Sequence, residues 1–302
     1  MDPKPHPPLW PSVAAFAILY LVWGSTFLAI RVGVAEVPPF LLAGIRFVIA
    51  GAIMYAWMAA RGEPSPTPRQ WASTLLLGVL IFVVDYGFVF WAEQRVPSGV
   101  TAVMMATAPV FMALFEITIL RTRRLTARLT AALLIGLSGV AALAGVGTSG
   151  AIDRVGALAL LIASVSWSFS SVMTRKLPLP SSKLMSSASQ MLTGGVLLTV
   201  TAGLLGEFRD FRPLKVSTGA WLSLAYLIVA GSIMAFTAYL WLLHHYSVTV
   251  VATHSYVNPV IAVLLGYFMG GEALGVRTAA GTALVLSSIL LIARARQPKS
   301  AA

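Results

Sequence analysis

The sequence contains no cysteine, so disulfide, thiolate and cysteine–metal chemistry are all excluded. Charge is nearly as scarce: only 10% of the 302 residues are Asp, Glu, Lys or Arg, too few to cover the surface of a soluble domain of this length. Histidine occurs four times, and its one close pair, His244-His245, has no carboxylate cluster around it; adjacent residues also point to different helix faces, so no metal site is expected there and none elsewhere. No G-x-x-x-x-G-K-[ST] loop is present, which argues against direct use of ATP. No catalytic dyad or metal-ligand cluster recurs at one depth, so a membrane-embedded enzyme is the weakest of the functional readings, and no cofactor is expected.

What the chain has is apolar length. Hydrophobic residues make up 58% of it and fall in runs of about 20, the length that crosses about 30 Å of hydrocarbon. The fold class read from this is an all-α polytopic membrane protein with ten transmembrane helices: Val13–Val34, Phe40–Ala60, Trp71–Ala92, Gly99–Leu120, Ala127–Val146, Gly156–Arg175, Leu184–Leu205, Ala220–Leu243, Val250–Met269 and Val276–Ala293. The breaks carry Pro38-Pro39, Gly62-Glu63-Pro64, Pro97-Ser98-Gly99 and Pro178 with Pro180. The segment before Val13 is polar and proline-rich and lacks the layout of a removable signal peptide, so the first span is expected to stay. The net charge of +11 comes largely from short loops and is read as positive-inside bias, with no nucleic-acid partner. Roughly two-thirds of the loop and tail Lys and Arg lie on the side of the N-terminus, which predicts both termini in the cytoplasm and the bilayer as a constant partner.

The chain also repeats itself. Trp23 and Arg31 are spaced as Trp167 and Arg175 are, and at that same offset Arg46 and Gly51 meet Gln190 and Gly195. After a small register shift, Trp91 and Pro109 match Trp241 and Pro259. These matches predict two five-helix units, 13–150 and 151–296, between cytoplasmic tails 1–12 and 297–302. Five is odd, so the second unit enters the membrane from the opposite side, and an inverted repeat of this kind suits alternating access. Prolines at mid-span break the helix ladder. Pro109 and Pro259 are therefore the expected helix breaks, and broken helices at midplane are the usual pointer to a transporter's binding site.

Ionisable residues inside spans are few: Arg46, Asp85, Glu116 and His254. Arg46 and Asp85 sit at similar depth on helices 2 and 3 and are expected to pair, either as part of the function or as a structural ion pair. Glu116 reads as a snorkelling residue at the inner interface. Mid-span aromatics beside small polar residues favour a lined cavity, and Trp23 (before Gly24-Ser25-Thr26) and Trp167 (among Ser164, Ser166 and Ser168) have this setting. The expected substrate-binding set is Trp23, Tyr86, Trp167, Tyr239, His254, Tyr256 and Asn258; 254 and 258 share a helix face, whereas 256 points elsewhere. The pairs Ala132/Gly136 and Ala141/Gly145 predict close packing of helix 5, within the bundle or between protomers of a weak homodimer.

YLVWGSTFLAIRVG (Tyr20–Gly33), LLAGIRFVIAGA (Leu41–Ala52), APVFMAL (Ala108–Leu114) and YVNPVIAVLLGYFMGGEAL (Tyr256–Leu274) resemble the EamA family of the drug/metabolite transporter superfamily. The resemblance implies ten helices in two inverted repeats around a cavity lined by helices 1, 3, 4, 6, 8 and 9. It also implies export of amino acids or other small metabolites across the bacterial inner membrane, as by exporters of the YddG type. Other metabolites or drugs, or a receptor that does not transport, are the alternatives it leaves. The family's Gly-Glu-x-Leu is present at Gly271-Glu272-Ala273-Leu274, but its first-half counterpart reads Thr122-Arg123-Arg124-Leu125. The glutamate is read as a structural residue at a helix end.

Overall fold

The structure, a computed structural model, describes residues 9–121, 126–144, 153–174, 176–209, 211–246, 248–251 and 253–294. Thr122 to Leu125, Arg175, the 150/151 boundary, most of the N-terminal tail and the C-terminal tail lie outside them. Helices start where side chains or prolines absorb the unpaired N–H groups of the first turn. Pro39 opens α2 (Pro39–Ala60), and a Thr67/Gln70 capping box opens α3 (Pro68–Ala92). Asp153 caps α6 (Arg154–Met173), with α1 (Leu9–Val34), α4 (Ser98–Ile119) and α5 (Ala127–Ala144) preceding it. Ser182 caps α7 (Lys183–Leu204) and Ser217 caps α8 (Thr218–His245). A short helical turn, Val248–Val251, leads to α9 (His254–Phe268), and α10 (Val276–Arg294) follows.

Six of these helices, α1, α2, α3, α4, α6 and α8, are long and apolar enough to cross a membrane. Their outward residues are apolar, Leu21, Ile53, Leu75, Leu222 and Val229 among them, as contact with lipid tails requires. The helices begin and end within a few residues of the spans read from hydropathy, the largest shifts being the starts of α1 at Leu9 and of α9 at His254.

α2 lies along α7 and α5 along α10. α1 packs on α8 and α9, α6 packs on α3 and α4, and α4 also touches α9. Helix 5 packs inside the bundle: Ser288 Oγ donates to Ala132 O (2.6 Å), and a Cβ on Gly136 would meet that same hydroxyl at 2.6 Å.

Two features were not expected from hydropathy. First, four helices contain π-helical turns: Ile18–Val22 in α1, Gly78–Tyr86 in α3, Leu227–Met234 in α8 and Glu116–Leu120 at the end of α4. Those of α3 and α8 are separated along the chain nearly as Trp91 and Trp241 are. Second, carboxylates from one helix end cap the start of another helix. Glu207 accepts from Leu41 N (2.8 Å) and Phe40 N (3.4 Å) at the start of α2. Glu36 accepts from the backbone N–H and hydroxyl of Ser217 at the start of α8, which holds its carboxyl below the usual carboxylate range. Burial pushes Glu207 the other way, upward, against its two backbone donors. Glu207 and Glu272 each follow a glycine with positive φ, Gly206 (77°) and Gly271 (62°), a backbone state in which glycine has no Cβ penalty. At the end of α4 the left-handed position is held by Arg121 (φ 53°).

Candidate functional site

Trp23 follows the π turn of α1. Its Nε1 donates to Gly231 O (3.2 Å), inside the π turn of α8. Its ring meets Tyr239 at 5.3 Å, the edge of His254 at 5.1 Å and Phe236 at 6.4 Å. Tyr239 and His254 are 6.0 Å apart and edge-on. Gly24 makes the close approach of α1 and α9 feasible: a Cβ there would sit 2.7 Å from Ile261 and 3.2 Å from Asn258 O. Asn258 is buried, and with its amide nitrogen donating to the carbonyls of His254 and Tyr20 (3.2 Å each) it ties α9 to the π turn of α1. The other end of the amide lies 3.5 Å from His254 Nδ1.

Tyr86 and Trp167 form a second group, ring centroids 6.4 Å apart and edge-on. Tyr86 also packs on Phe47 (4.6 Å) and Phe82 (5.8 Å). Arg46 joins the two groups. Its guanidinium lies over Phe47 (4.6 Å), Tyr86 (5.7 Å) and Phe90 (5.9 Å), and its Nε donates to Ser232 Oγ (2.9 Å). On its other side stands Gly231, where a Cβ would be 3.2 Å from Nη2. A continuous path therefore runs Trp23, Gly231, Arg46, Tyr86, Trp167 through the bundle.

Arg46 and Asp85 are both buried but make no ion pair; Arg46 Nη1 and Asp85 Oδ1 each lack a partner. The Nε of the guanidinium is held by α8, which sequence separation hid. Tyr256 stays out of the cluster: its hydroxyl donates to Ile289 O of α10 (3.3 Å). Pro109 is the second residue of a helical segment that starts after a turn at Ala106-Thr107, where its missing N–H costs little. Pro259 lies inside α9; the interruption there falls upstream, between Val251 and His254.

Ser164, Ser166 and Ser168 of α6 are buried, and the hydroxyls of the last two are committed to backbone. Ser166 Oγ donates to Leu80 O (2.7 Å) in the π turn of α3, and Ser168 Oγ to Ala108 O (2.9 Å) at the break of α4. Ser164 meets Thr107 at 3.0 Å. In a bilayer an irregular backbone must be satisfied by protein, and these hydroxyls do so. They are therefore part of the frame that presents Trp167. Among the described residues there is no group of three His, Cys, Asp or Glu that could hold a metal; His245 instead stacks on Trp241 (4.1 Å) with Nδ1 against the Trp241 carbonyl (2.9 Å).

A third cluster joins the C-terminal part of α1, the start of α4 and the turn after α9. Glu272 Oε1 accepts from Ser98 N and Ser98 Oγ (both 2.7 Å), and Oε2 from Gly99 N (3.0 Å), at the start of α4. Arg31 Nε is 3.4 Å from Glu272 Oε1, and its Nη1 donates to Val96 O (2.9 Å) and Glu93 O (3.4 Å). Glu93, Gly231 and Ser232 carried no signal in the sequence beyond lying near or within spans.

The EamA-like transporter family matches residues 10–145 and again residues 154–294. The "Uncharacterized inner membrane transporter YedA" of Escherichia coli (strain K12) is 39% identical over 269 residues, covering 88% of this chain and 85% of that protein. The "Uncharacterized transporter YvbV" of Bacillus subtilis (strain 168) is 24% identical over 287 residues, 95% and 93% of the two chains. One solved crystal structure shares the fold with a TM-score of 0.63 at 24% identity, covering 94% of this chain and 99% of its own.

Proposed function

Given that the chain belongs to the EamA-like transporter family, we propose that it exports small metabolites, neutral and aromatic amino acids foremost, across the bacterial inner membrane by alternating access. The observation that carries this reading is the aromatic lining at the centre of the bundle. Trp23, Tyr239 and His254 converge from three helices and Tyr86 and Trp167 from two more, all only half-buried, with Arg46 and Gly231 between the groups. Aromatic faces take apolar side chains by stacking and ammonium groups by cation–π contact, and they discriminate shapes weakly, so selectivity is broad.

Two inverted five-helix units supply the motion in this reading. Supporting it, the helix pairings are preserved when each helix number is advanced by five: α1 with α8 and α9 answers to α6 with α3 and α4. The family also matches once in each half. In such an arrangement the two halves exchange conformations to turn the site from one side to the other.

Proteoliposomes loaded with L-phenylalanine, L-tryptophan or L-leucine are expected to release label through the wild type. Trp167→Ala is expected to lose at least about tenfold of that rate with folded yield near wild type, since the ring borders the site while the α6 serines hold the frame. Wild-type protein that moves none of these solutes would sink the amino-acid reading; normal transport by Trp167→Ala would remove that ring from the site. Asn258→Ala is a poorer probe, because Asn258 also ties α9 to α1.

Orientation follows the charge bias, with both termini cytoplasmic. Reporter fusions at Gly62 and Gly150 are then expected to read inside and outside respectively, and the reverse pattern would overturn it.

A further inference from the structure

The guanidinium of Arg46 is buried, 3% exposed, in a bundle that lies in a bilayer, yet among the described residues no carboxylate pairs with it. Three aromatic rings lie around it, and ring faces attract a cation without cancelling its charge. Nε is used on Ser232, whose own hydroxyl proton goes to Leu227 O (3.0 Å) in the π turn of α8. Ser232 is thereby fixed as an acceptor and holds the plane of the fork. Nη1 is buried without a partner. The Nη2 side of the fork is bordered by Gly231, and any larger residue there would crowd it. Asp85, next in sequence to the Tyr86 that Arg46 touches, has a free Oδ1 but is not in ion-pair contact. A lone charge at this depth is expensive, and charge inside a span is retained where it serves a pathway or a ligand.

We propose that Arg46 is the receptor for the carboxylate of the transported solute, with Nη1 as the donor that the solute completes. The ligand class is a carboxylate joined to an apolar or aromatic body: the anion meets the fork, and the body lies between the Tyr86/Trp167 rings and the Trp23 group. A planar fork suits a planar carboxylate, which a lysine ammonium would not reproduce. This inference rests on the transport reading above and names the group by which that site holds its cargo.

The test uses three probes that share a phenyl ring: L-phenylalanine, 3-phenylpropionate and phenethylamine, the last lacking the carboxylate. Each is titrated against the purified full chain in detergent, followed by tryptophan fluorescence, and each is offered to proteoliposomes. L-Phenylalanine and 3-phenylpropionate are expected to bind at least tenfold tighter than phenethylamine. Arg46→Gln is expected to erase that difference. Gly231→Ala, which keeps every charge and adds a methyl 3.2 Å from Nη2, is expected to weaken the two carboxylates by a larger factor than phenethylamine and so to narrow the preference, and the test stands even if Arg46→Gln fails to fold. Equal binding of phenethylamine and L-phenylalanine by the wild type, or undiminished preference in both variants, would overturn the proposal. Transport confined to solutes without a carboxylate would overturn it while leaving the transporter reading intact. Absence of binding and transport for every probe would take both down.

Discussion

Leucine at Gly51 or Gly195 is expected to leave almost no folded, monodisperse protein. These glycines mark where α2 and α7 cross. A Cβ on Gly51 would lie 2.5 Å from Leu192 N and 2.8 Å from Leu192 Cα, and a Cβ on Gly195 would meet Val48 N and, at 2.7 Å, the Phe47 carbonyl carbon. Backbone atoms cannot swing aside as a flexible side chain can, so the whole helix pair must separate. Overpacking of ordinary cores costs about 1–3 kcal/mol, and a leucine against backbone belongs at or beyond the upper end. Against a total stability of about 5–15 kcal/mol, one such change is severe. Separation would also move Phe47 and Arg46, which sit on the same helix one turn from the crossing. Size-exclusion profiles of tagged protein from membranes measure this directly. Alanine at either site is expected to give an intermediate yield. Wild-type profiles for both leucine variants would show that the crossing is looser than its geometry requires.

That crossing was already legible in part. Gly51 and Gly195 were matched by their spacing from Arg46 and Gln190, and the two positions turn out to face one another's helices. The helix order and most boundaries were legible as well, because a helix that meets lipid must be apolar over a set length, and hydropathy reads length directly. The π turns were not. An i→i+5 turn and an i→i+4 turn use the same apolar residues, so composition cannot separate them, although such turns often mark functional positions. In the candidate site, Trp23, Tyr86, Trp167 and Tyr239 were picked by the rule that mid-span aromatics line a cavity, Trp23 and Trp167 for their small polar neighbours as well, and His254 as an ionisable residue inside a span; the structure brings Trp23, Tyr239 and His254 together, and Tyr86 and Trp167 together. The rule misread the purpose of the small polar residues. Ser166 and Ser168 mend the irregular backbones of α3 and α4, and Asn258 does the same for α1, which becomes visible only once those irregularities are known. Arg46 was paired with Asp85 because depth along a helix can be counted in sequence; its neighbour Ser232, 186 positions away, cannot.

Glu272→Ala is expected to lower the stability of the protein by about 3–6 kcal/mol, from two charge-assisted bonds to backbone N–H groups at about 1.5–3 kcal/mol each, with little added for the half-exposed Arg31. The same change is expected to open one end of the bundle. The ends of α1, α7 and α9 carry Glu36, Glu207 and Glu272, and these cap the starts of α8, α2 and α4, so three carboxylates stitch this end to itself through helix N-termini, where negative charge is favoured. Among the described residues, Glu272 alone of the three forms an ion pair with a further helix end, through Arg31. In the sequence, the first-half counterpart of Glu272 is an arginine, Arg123, which lies outside the described residues. Under the alternating-access reading proposed above, loss of Glu272 is expected to favour the state open at this end. Because the chain has no cysteine, a single reporter can follow this without background. Val96 is fully buried beside Arg31, and in Val96→Cys protein maleimide labelling is expected to be slow. Adding Glu272→Ala is expected to speed it by at least about tenfold, the factor that corresponds to about 1.4 kcal/mol in the opening equilibrium. Glu272→Gln, which keeps the acceptor oxygen and loses the charge, is expected to fall between. Unchanged labelling together with an unchanged melting temperature in Glu272→Ala would show that Ser98, Gly99 and Arg31 are held by other means, and that Glu272 is no latch.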